Sequence, residues 1–268
     1  MFTRLKKPSL GMALAAMAFL AACGDNEEPL YVETPVEGLY NQALDSLADG
    51  NNTEAARLFD EVERQHPYSV WSSKAQLMAA YSSYRAKNYN DAINASDRFI
   101  QLHPGNRDIA YAYYLRALSF YDQIVDVGRD QAMTRNALEA LDEVVRRFPD
   151  TQYAKDAQLK LDLTRDHLAG KHMSIGRFYI RRQDYLAAIN RFRTVVDRYQ
   201  TTTHVPEALH RLTESYLAIG LGEEAKKTAA VLGYNYPGSD WYEDSYRLLV
   251  DDGLAKAGDA DKPWWDIF

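Results

Sequence analysis

The chain has 268 residues, of which 46% are hydrophobic and 26% charged, and its formal net charge at pH 7 is −7. This composition is ordinary for a globular protein with a large core, and the single cysteine excludes a disulfide within the chain. Because an acidic body repels phosphate backbones, we expect no nucleic-acid partner.

The first element in chain order is a processing signal. Three basic residues, Arg4, Lys6 and Lys7, precede an apolar run at residues 10–20 that is too short to span a membrane comfortably. Small residues then lead to Cys23, in an order that resembles the lipobox of bacterial lipoproteins. The pattern predicts a signal peptide at residues 1–22 and lipid attachment at Cys23. The alternative is a plain secretory peptide followed by a coincidental cysteine.

A lipidated Cys23 predicts a protein that is anchored to a membrane and does not cross it. Each buried methylene contributes roughly 0.8 kcal/mol, so two or three acyl chains form a stable anchor. No later stretch of the sequence approaches the roughly 18 apolar residues of a spanning helix. Gly24 follows the cysteine, and the sorting rule of enteric lipoproteins then permits transfer to the outer membrane. Residues 23–36 are the lipidated cysteine and a polar, proline-containing linker.

An internal repeat occupies residues 37–250, and alanines at one fixed offset mark it. Five helix-like runs end at a stop position, and the residue twelve positions earlier is alanine each time. Twelve positions earlier again, four repeats carry a small or short residue. The stop positions are Pro67, Pro104, Pro149, Gln200 and Pro237; the alanines are Ala55, Ala92, Ala137, Ala188 and Ala225; the earlier residues are Ala43, Ala80, Gly176 and Thr213, with Ala117 as the equivalent in the longer third repeat.

This fixed spacing of small residue, alanine and stop position, called the ruler below, is typical of the tetratricopeptide repeat. That repeat is a pair of helices named A and B. Small residues let the two helices approach closely, and proline ends helix B because it cannot continue the hydrogen-bond ladder. The stop positions are separated by 37, 45, 51 and 37 residues, which leaves room for an additional helix at roughly 152–168. The sequence therefore predicts an all-α solenoid of about five helix pairs and about twelve helices.

The segment 251–268 is polar at first and ends in Pro263-Trp264-Trp265-Asp266-Ile267-Phe268. Exposed aromatic residues at the tip of a tail are typical of a docking peptide. A tip that folds back onto the last helices of its own chain is the alternative, and the sequence leaves both open.

No constellation of residues in the sequence indicates catalysis. There is no glycine-rich phosphate loop, no H-E-x-x-H motif, no paired-cysteine metal site and no G-x-S-x-G motif. The six histidines are scattered at spacings that do not put two ligands on one helical face. We therefore expect no catalytic residue, no metal and no cofactor, and the protein is not predicted to be an enzyme.

Two residue types have a distribution that points to binding. Many of the 19 tyrosines fall on predicted A helices, which line the groove of such solenoids and offer rigid amphipathic area to an extended peptide. Packing between helices is the alternative. Arginines cluster in the fourth pair and suit carboxylates of a partner protein, or else form a solvated face paired with Asp184 and Asp197. The tyrosines are Tyr40, Tyr81, Tyr84, Tyr111, Tyr113, Tyr114, Tyr121, Tyr179 and Tyr216; the arginines are Arg177, Arg181, Arg182, Arg191, Arg193 and Arg198.

Over residues 37–249 the sequence resembles the BamD family, whose members join a lipobox to about five helix pairs. The segments that carry the resemblance are 97–104, 110–117, 128–131, 148–153 and 187–191. The chain departs from the family pattern at Gln200, at the histidines before two stop prolines, and in its aromatic tail.

The resemblance implies a lipoprotein of the outer membrane that faces the periplasm. It also implies binding to the POTRA region of BamA, to other subunits of the barrel-assembly complex, and to unfolded outer-membrane protein precursors. Carried onto this sequence, Arg177, Arg191 and Arg193 are candidates for contact with the partner or the precursor. Tyr40, Tyr81 and Tyr84 are candidates for contact with the precursor. The competing hypotheses are a repeat lipoprotein that serves secretin assembly or envelope and division proteins, and a peptidoglycan hydrolase.

Overall fold

The computed structural model describes residues 34–126 and 131–256. The chain divides after Pro35, and the unit that begins at Val36 contains eleven α-helices and no strand in its described part. They are α1 (Val36–Ala48), α2 (Asn52–Gln65), α3 (Ser72–Arg85), α4 (Tyr89–Leu102), α5 (Ile109–Tyr121), α6 (Ala132–Arg147), α7 (Gln152–Arg181), α8 (Tyr185–Arg198), α9 (Val205–Ala218), α10 (Gly222–Asn235) and α11 (Asp240–Asp251).

Each helix packs against the next, so the described chain forms the all-α helix-pair solenoid that the sequence predicts. The A helices are α1, α3, α5, the second half of α7, and α9; the B helices are α2, α4, α6, α8 and α10. Helix α3 also contacts α5, and α5 contacts α7, so these A helices lie side by side. Helix α11 closes the last pair by packing on both α9 and α10.

The small residues of the predicted ruler form the packing contact between the two helices of each pair. All five ruler alanines have no exposed surface, and the earlier small positions are buried with them. Gly176 shows why a small residue is required, because a Cβ there would lie 2.5 Å from Cε1 of the fully buried Phe192. The B helices end just before the stop positions, as at Gln65 before His66 and Pro67.

Helix α7 is the main difference from the sequence prediction. A separate helix at 152–168 was expected, yet residues 152–181 form one helix of 30 residues, so the described helices number eleven and not about twelve. No proline or turn sequence interrupts this segment, and its buried positions continue through Leu161, Leu168 and Met173. At its start, the Thr151 hydroxyl accepts the Ala154 N–H at 3.1 Å. The additional helix and the A helix of the fourth pair are therefore fused.

Several predictions fall on residues outside the described ranges. They are the signal peptide at 1–22, lipid attachment at Cys23, and most of the tail from 251 to 268. The body itself is one residue longer at each end than predicted, because α1 begins at Val36 and α11 ends at Asp251. Within the described ranges, no helix combines the length and the apolar character that crossing a membrane requires.

Candidate functional site

A row of five half-buried tyrosines runs across three neighbouring A-type helices. It consists of Tyr81 and Tyr84 on α3, Tyr111 and Tyr114 on α5, and Tyr153 at the start of α7. The ring centroids of Tyr81 and Tyr111 are 6.5 Å apart, those of Tyr111 and Tyr153 are 5.4 Å apart, and those of Tyr114 and Tyr153 are 5.3 Å apart with the rings stacked. We call these five residues the tyrosine row.

The hydroxyl groups at the edge of the tyrosine row have carboxylate partners on the same molecule. Tyr84 donates to Asp122 at 2.6 Å, and Tyr114 donates to Asp156 at 2.5 Å. Burial raises the pKa of both tyrosines, and the adjacent carboxylates raise it further. Burial alone would raise the pKa of Asp156, but hydrogen bonds from Tyr114 and Lys160 outweigh it and lower that pKa. Hydrogen bonds therefore hold Tyr84 and Tyr114 in place, while all five half-buried rings keep part of their surface accessible.

Two of the three tyrosines predicted to contact a precursor lie in this row, and the third does not. Tyr81 and Tyr84 are half-buried members of the row. Tyr40 is 2% exposed, with its ring 5.3 Å from that of Phe59 and 4.8 Å from that of Trp71. The assignment of Tyr40 to precursor contact was wrong in this structure, because its ring fills the core of the first pair.

The second candidate surface is the hairpin of α7 and α8, where arginines lack carboxylate partners. Among the residues that the structure describes, most arginines form an ion pair, for example Arg116 with Asp97 at 2.8 Å and with Glu143. Seven have none there, and five of these lie in the α7–α8 hairpin. The seven are Arg85 and Arg135, followed by Arg181, Arg182, Arg191, Arg193 and Arg198 of the hairpin. We call the last five the hairpin arginines.

The alternative of a solvated face paired with Asp184 and Asp197 does not hold within the described residues, since neither aspartate forms an ion pair there. Two of the hairpin arginines act instead on a histidine of α7. Burial lowers the pKa of His172, and the charges of Arg191 and Arg198 lower it further. This side of the hairpin is therefore a concentration of positive charge in an acidic chain.

Arg177 differs from the other two arginines that were predicted to bind a partner. Its Nη1 donates to both carboxylate oxygens of Glu207 at 2.9 Å, which ties α7 to the start of α9. Glu207 also lies 3.7 Å from Arg211. The charge of Arg177 is thus paired within the fold, although 39% of its side chain is exposed, and its assignment to partner contact stays a prediction. Arg191 and Arg193 remain candidates.

Three functional candidates were missed from the sequence. Tyr153 was not counted among the A-helix tyrosines because the start of α7 was not taken for an A helix. Its position, two residues after Thr151 and shortly after Pro149, is the signal that marks the start of the next helix. Arg181 and Arg182 were part of the arginine cluster but were not selected, although both are exposed at the end of α7.

Two clefts of the described residues lie apart from these two surfaces. One of about 350 Å³ holds the ion-paired Arg116 with Asp97 and Glu143. Another of about 490 Å³ lies between the end of α5 and Leu163 and His167 of α7. Within the described residues, no group of three or more histidine, cysteine, aspartate or glutamate side chains is arranged to hold a metal ion.

Comparison with known proteins yields one consistent group. Residues 32–232 match the profile of the YfiO family, which is described as outer membrane lipoprotein. Proteins named outer membrane protein assembly factor BamD are similar along nearly their whole length. The one from Caulobacter vibrioides is 53% identical over 93% of this chain and 82% of its own. The one from Rickettsia prowazekii is 47% identical over 86% and 92%, and that of Neisseria meningitidis serogroup B is 34% identical over 96% of each.

Solved structures with similar folds are more distant. A tetratricopeptide-repeat protein of Thermus thermophilus is 18% identical over 81% of this chain and all of its own, with a TM-score of 0.35. The tetratricopeptide domain of P58(IPK) is 14% identical over 97% of this chain and 68% of its own, with a TM-score of 0.41. At such scores these similarities add nothing to the helix-pair architecture described above.

Proposed function

Because the chain belongs to the BamD family of outer membrane protein assembly factors, we propose that it is a non-catalytic scaffold of the barrel-assembly complex. It binds an acidic surface of BamA through the hairpin arginines and holds unfolded outer-membrane protein precursors on the tyrosine row. A lipid on Cys23 anchors it to the outer membrane with the helical body in the periplasm.

The observation that carries this proposal is the set of hairpin arginines, which have no carboxylate partner in the part of the chain that the structure describes. A guanidinium is more weakly hydrated than an ammonium, and its planar group can bind a carboxylate through two parallel hydrogen bonds. Elsewhere in the described chain most arginines already have such a partner on a neighbouring turn or helix. The hairpin therefore offers several unused donors on one element, which suits an acidic protein surface.

The tyrosine row supports the second half of the proposal. Its rings contact one another across α3, α5 and α7, and hydrogen bonds to Asp122 and Asp156 hold two of them, Tyr84 and Tyr114. Rigid aromatic side chains bind an extended apolar segment at a low cost in conformational entropy. An unfolded barrel precursor is rich in alternating apolar residues and needs such a surface before its strands can pair.

Charge reversal in the hairpin tests the partner surface. We expect Arg191→Glu with Arg193→Glu to reduce recovery of BamA with the tagged protein from detergent-solubilised outer membranes by about tenfold, or roughly 1.4 kcal/mol. The matched control is Arg135→Glu, which reverses an exposed and equally unpaired arginine on the B helix of the third pair. Equal recovery of BamA with the double variant and the control would refute the arginine assignment, as would recovery of a secretin or a division protein in place of BamA.

Photo-crosslinking tests the precursor surface. A photoreactive residue in place of Tyr81 should cross-link to a newly synthesised barrel precursor, and Tyr111→Ala with Tyr153→Ala should reduce that cross-link severalfold. The control site is Tyr68, which is fully exposed and lies outside the row. Cross-linking of equal yield from positions 68 and 81 would show that the row has no special affinity for precursors.

A further inference from the structure

Exposed apolar side chains gather at one end of the fourth and fifth pairs. Phe178 is 47% exposed, Leu186 is 67% exposed and Leu221 is 43% exposed. They flank the turns from α7 to α8 and from α9 to α10, and these turns lie at the same end because successive packed helices run in opposite directions. Arg181 and Arg182, which are exposed and form no ion pair with another described residue, belong to the first of these turns. We call these five residues the turn patch.

The described chain ends beside this patch. After α11 the backbone turns at Gly253, which has a φ of +71°, and Leu254 then covers the start of α10. A Cβ on Gly222 would lie 3.0 Å from Cδ1 of Leu254. The Tyr246 hydroxyl donates to the carbonyl of Lys256 and holds it there. Since Leu221 precedes Gly222 directly, the contact of Leu254 with Gly222 brings the end of the described chain next to the turn patch.

A continuous layer of side chains connects the exit point with the fourth pair. Leu254 packs in a cluster that includes Tyr216 of α9. Tyr216 also packs in the larger cluster that includes Tyr179 and Ile180, the neighbours of Phe178 and Arg181. Helices α7 and α9 are direct neighbours, since Arg177 of α7 donates to Glu207 of α9 at 2.9 Å, and neighbouring helix axes lie roughly 10 Å apart. The twelve residues 257–268 can extend to roughly 40 Å, so they reach across the whole patch.

We propose that residues 257–268 dock onto the turn patch of their own molecule. The segment carries Trp264, Trp265, Ile267 and Phe268 as apolar groups and Asp259, Asp261 and Asp266 as acidic ones. The acidic residues meet the free guanidinium groups, and the aromatic rings cover Phe178, Leu186 and Leu221. One face of the Arg182 guanidinium already lies 5.5 Å from the centre of the Phe178 ring. The other face of the guanidinium is left for an indole ring of the tail.

Docking in cis is favoured over docking to a separate molecule because the tether is short. A flexible connection of this length gives an effective concentration in the millimolar range. That concentration suffices for a modest contact of two indole rings and a few ion pairs. A docked tail also places carboxylates on Arg181 and Arg182, so it competes with any acidic partner that approaches the end of the hairpin.

The test replaces Trp264 with a photoreactive phenylalanine in the full chain, purified in detergent, and maps the cross-linked peptides by mass spectrometry. We expect a cross-linked monomer in which position 264 is joined to residues 178–186 or to residues near 221. A cross-linked dimer would assign the occupant to a second copy and overturn the proposal. Cross-links only to other parts of the body, only to lipid or detergent, or none at all, would also overturn it.

Charge variants provide the specific control. Arg181→Glu with Arg182→Glu should lower the yield of the intramolecular cross-link at least fivefold. Arg193→Glu with Arg198→Glu makes the same charge change away from the turn and should alter the yield less than twofold. Adding Asp261→Arg and Asp266→Arg to the first pair should restore the yield. Equal loss with both arginine pairs, without rescue, would refute the ionic contact, and thermal unfolding of each variant establishes that it is folded. Because the measurement uses the isolated protein, it is independent of the proposed binding to BamA.

Discussion

The tyrosine row includes the start of α7 and the hairpin arginines include its end, yet the two sets are built in opposite ways. At the start of α7, Tyr153 stacks on Tyr114, whose hydroxyl is bonded to Asp156. Near its end, Arg181 and Arg182 project from the protein without a carboxylate partner among the described residues. In the first region the polar groups serve the fold; in the second they do not.

This difference distinguishes residues that stabilise the protein from residues that remain available to bind a partner. A hydrogen bond or ion pair made within the chain costs free energy when one partner is removed, because the other is left without it. A charge that has no partner in the folded chain contributes little to stability, so its substitution is inexpensive. Stability and binding measurements on matched residues should therefore diverge between the two regions.

The largest expected effect on the free energy of unfolding comes from replacing a paired arginine. Arg116 is 17% exposed in its side chain and bridges Asp97 on α4 and Glu143 on α6. We expect Arg116→Gln to lower the free energy of unfolding by about 2–3 kcal/mol, because two carboxylates then lose their common partner. Arg193→Gln should change it by less than about 0.5 kcal/mol. Urea denaturation measures both, and similar losses would abolish the distinction between paired and unpaired arginines.

The next largest effect comes from a substitution that disturbs the packing beneath the hairpin arginines. Gly176→Val should destabilise the protein by about 2 kcal/mol, because its side chain would occupy the space of the Phe192 ring. Ser174→Val, at an exposed position of the same helix, is the matched control. Thermal unfolding followed by circular dichroism compares the two. If both variants unfold at the same temperature, close approach of α7 and α8 at Gly176 is not what holds the hairpin.

A smaller effect probes the hydroxyl groups of the tyrosine row. Tyr114→Phe removes the donor to Asp156 and should cost about 1 kcal/mol of stability. Tyr153→Phe removes a hydroxyl that has no partner among the described residues, and it should be nearly neutral. Both variants keep the ring surface, so precursor cross-linking from position 81 should be unchanged. A marked fall in that cross-link with Tyr114→Phe would mean that the hydroxyl, and not the ring, contacts the precursor.

The smallest effect is a pH dependence centred on His172. Burial and the charges of Arg191 and Arg198 lower its pKa below the ordinary value of 6.5. As the pH falls through 6.5, the unfolded chain therefore takes up a proton before the folded chain does, and the stability falls. Arg191→Gln with Arg198→Gln should raise the pKa of His172 in an NMR titration. An unchanged titration would mean that the two guanidinium groups lie too far from the ring to act on it.

The repeat architecture could be predicted from the sequence because each pair obeys a local rule. The ruler places Ala55, Ala92, Ala137, Ala188 and Ala225 at the helix contacts, and all five are fully buried. The stop positions give the ends of the B helices for the same local reason. A spacing of 51 residues correctly indicated extra helix, but nothing local distinguishes two helices from one when no turn sequence lies between them.

The roles of individual side chains depended on contacts between distant residues, which the sequence does not display. Arg177 and Glu207 are 30 positions apart and belong to different repeats, so their pairing could not be read from spacing. Tyr40 is an aromatic residue on an A helix, as expected of a groove residue. The ring of Trp71, directly before α3, nevertheless packs against its ring. The tyrosine row likewise required the placement of Tyr153 beside α5. The sequence could predict that these tyrosines and arginines lie in clusters. It could not predict which of their side chains are left accessible to a partner.

The unbroken length of α7 has a mechanical consequence. Its 30 residues form a rod of roughly 45 Å, and the hydrogen-bond ladder along it contains no proline at which it could hinge. Such a rod resists bending, so it fixes the distance between Tyr153 at its start and Arg181 at its end. Under the proposed function, the length of this one helix would set the spacing between BamA and a bound precursor.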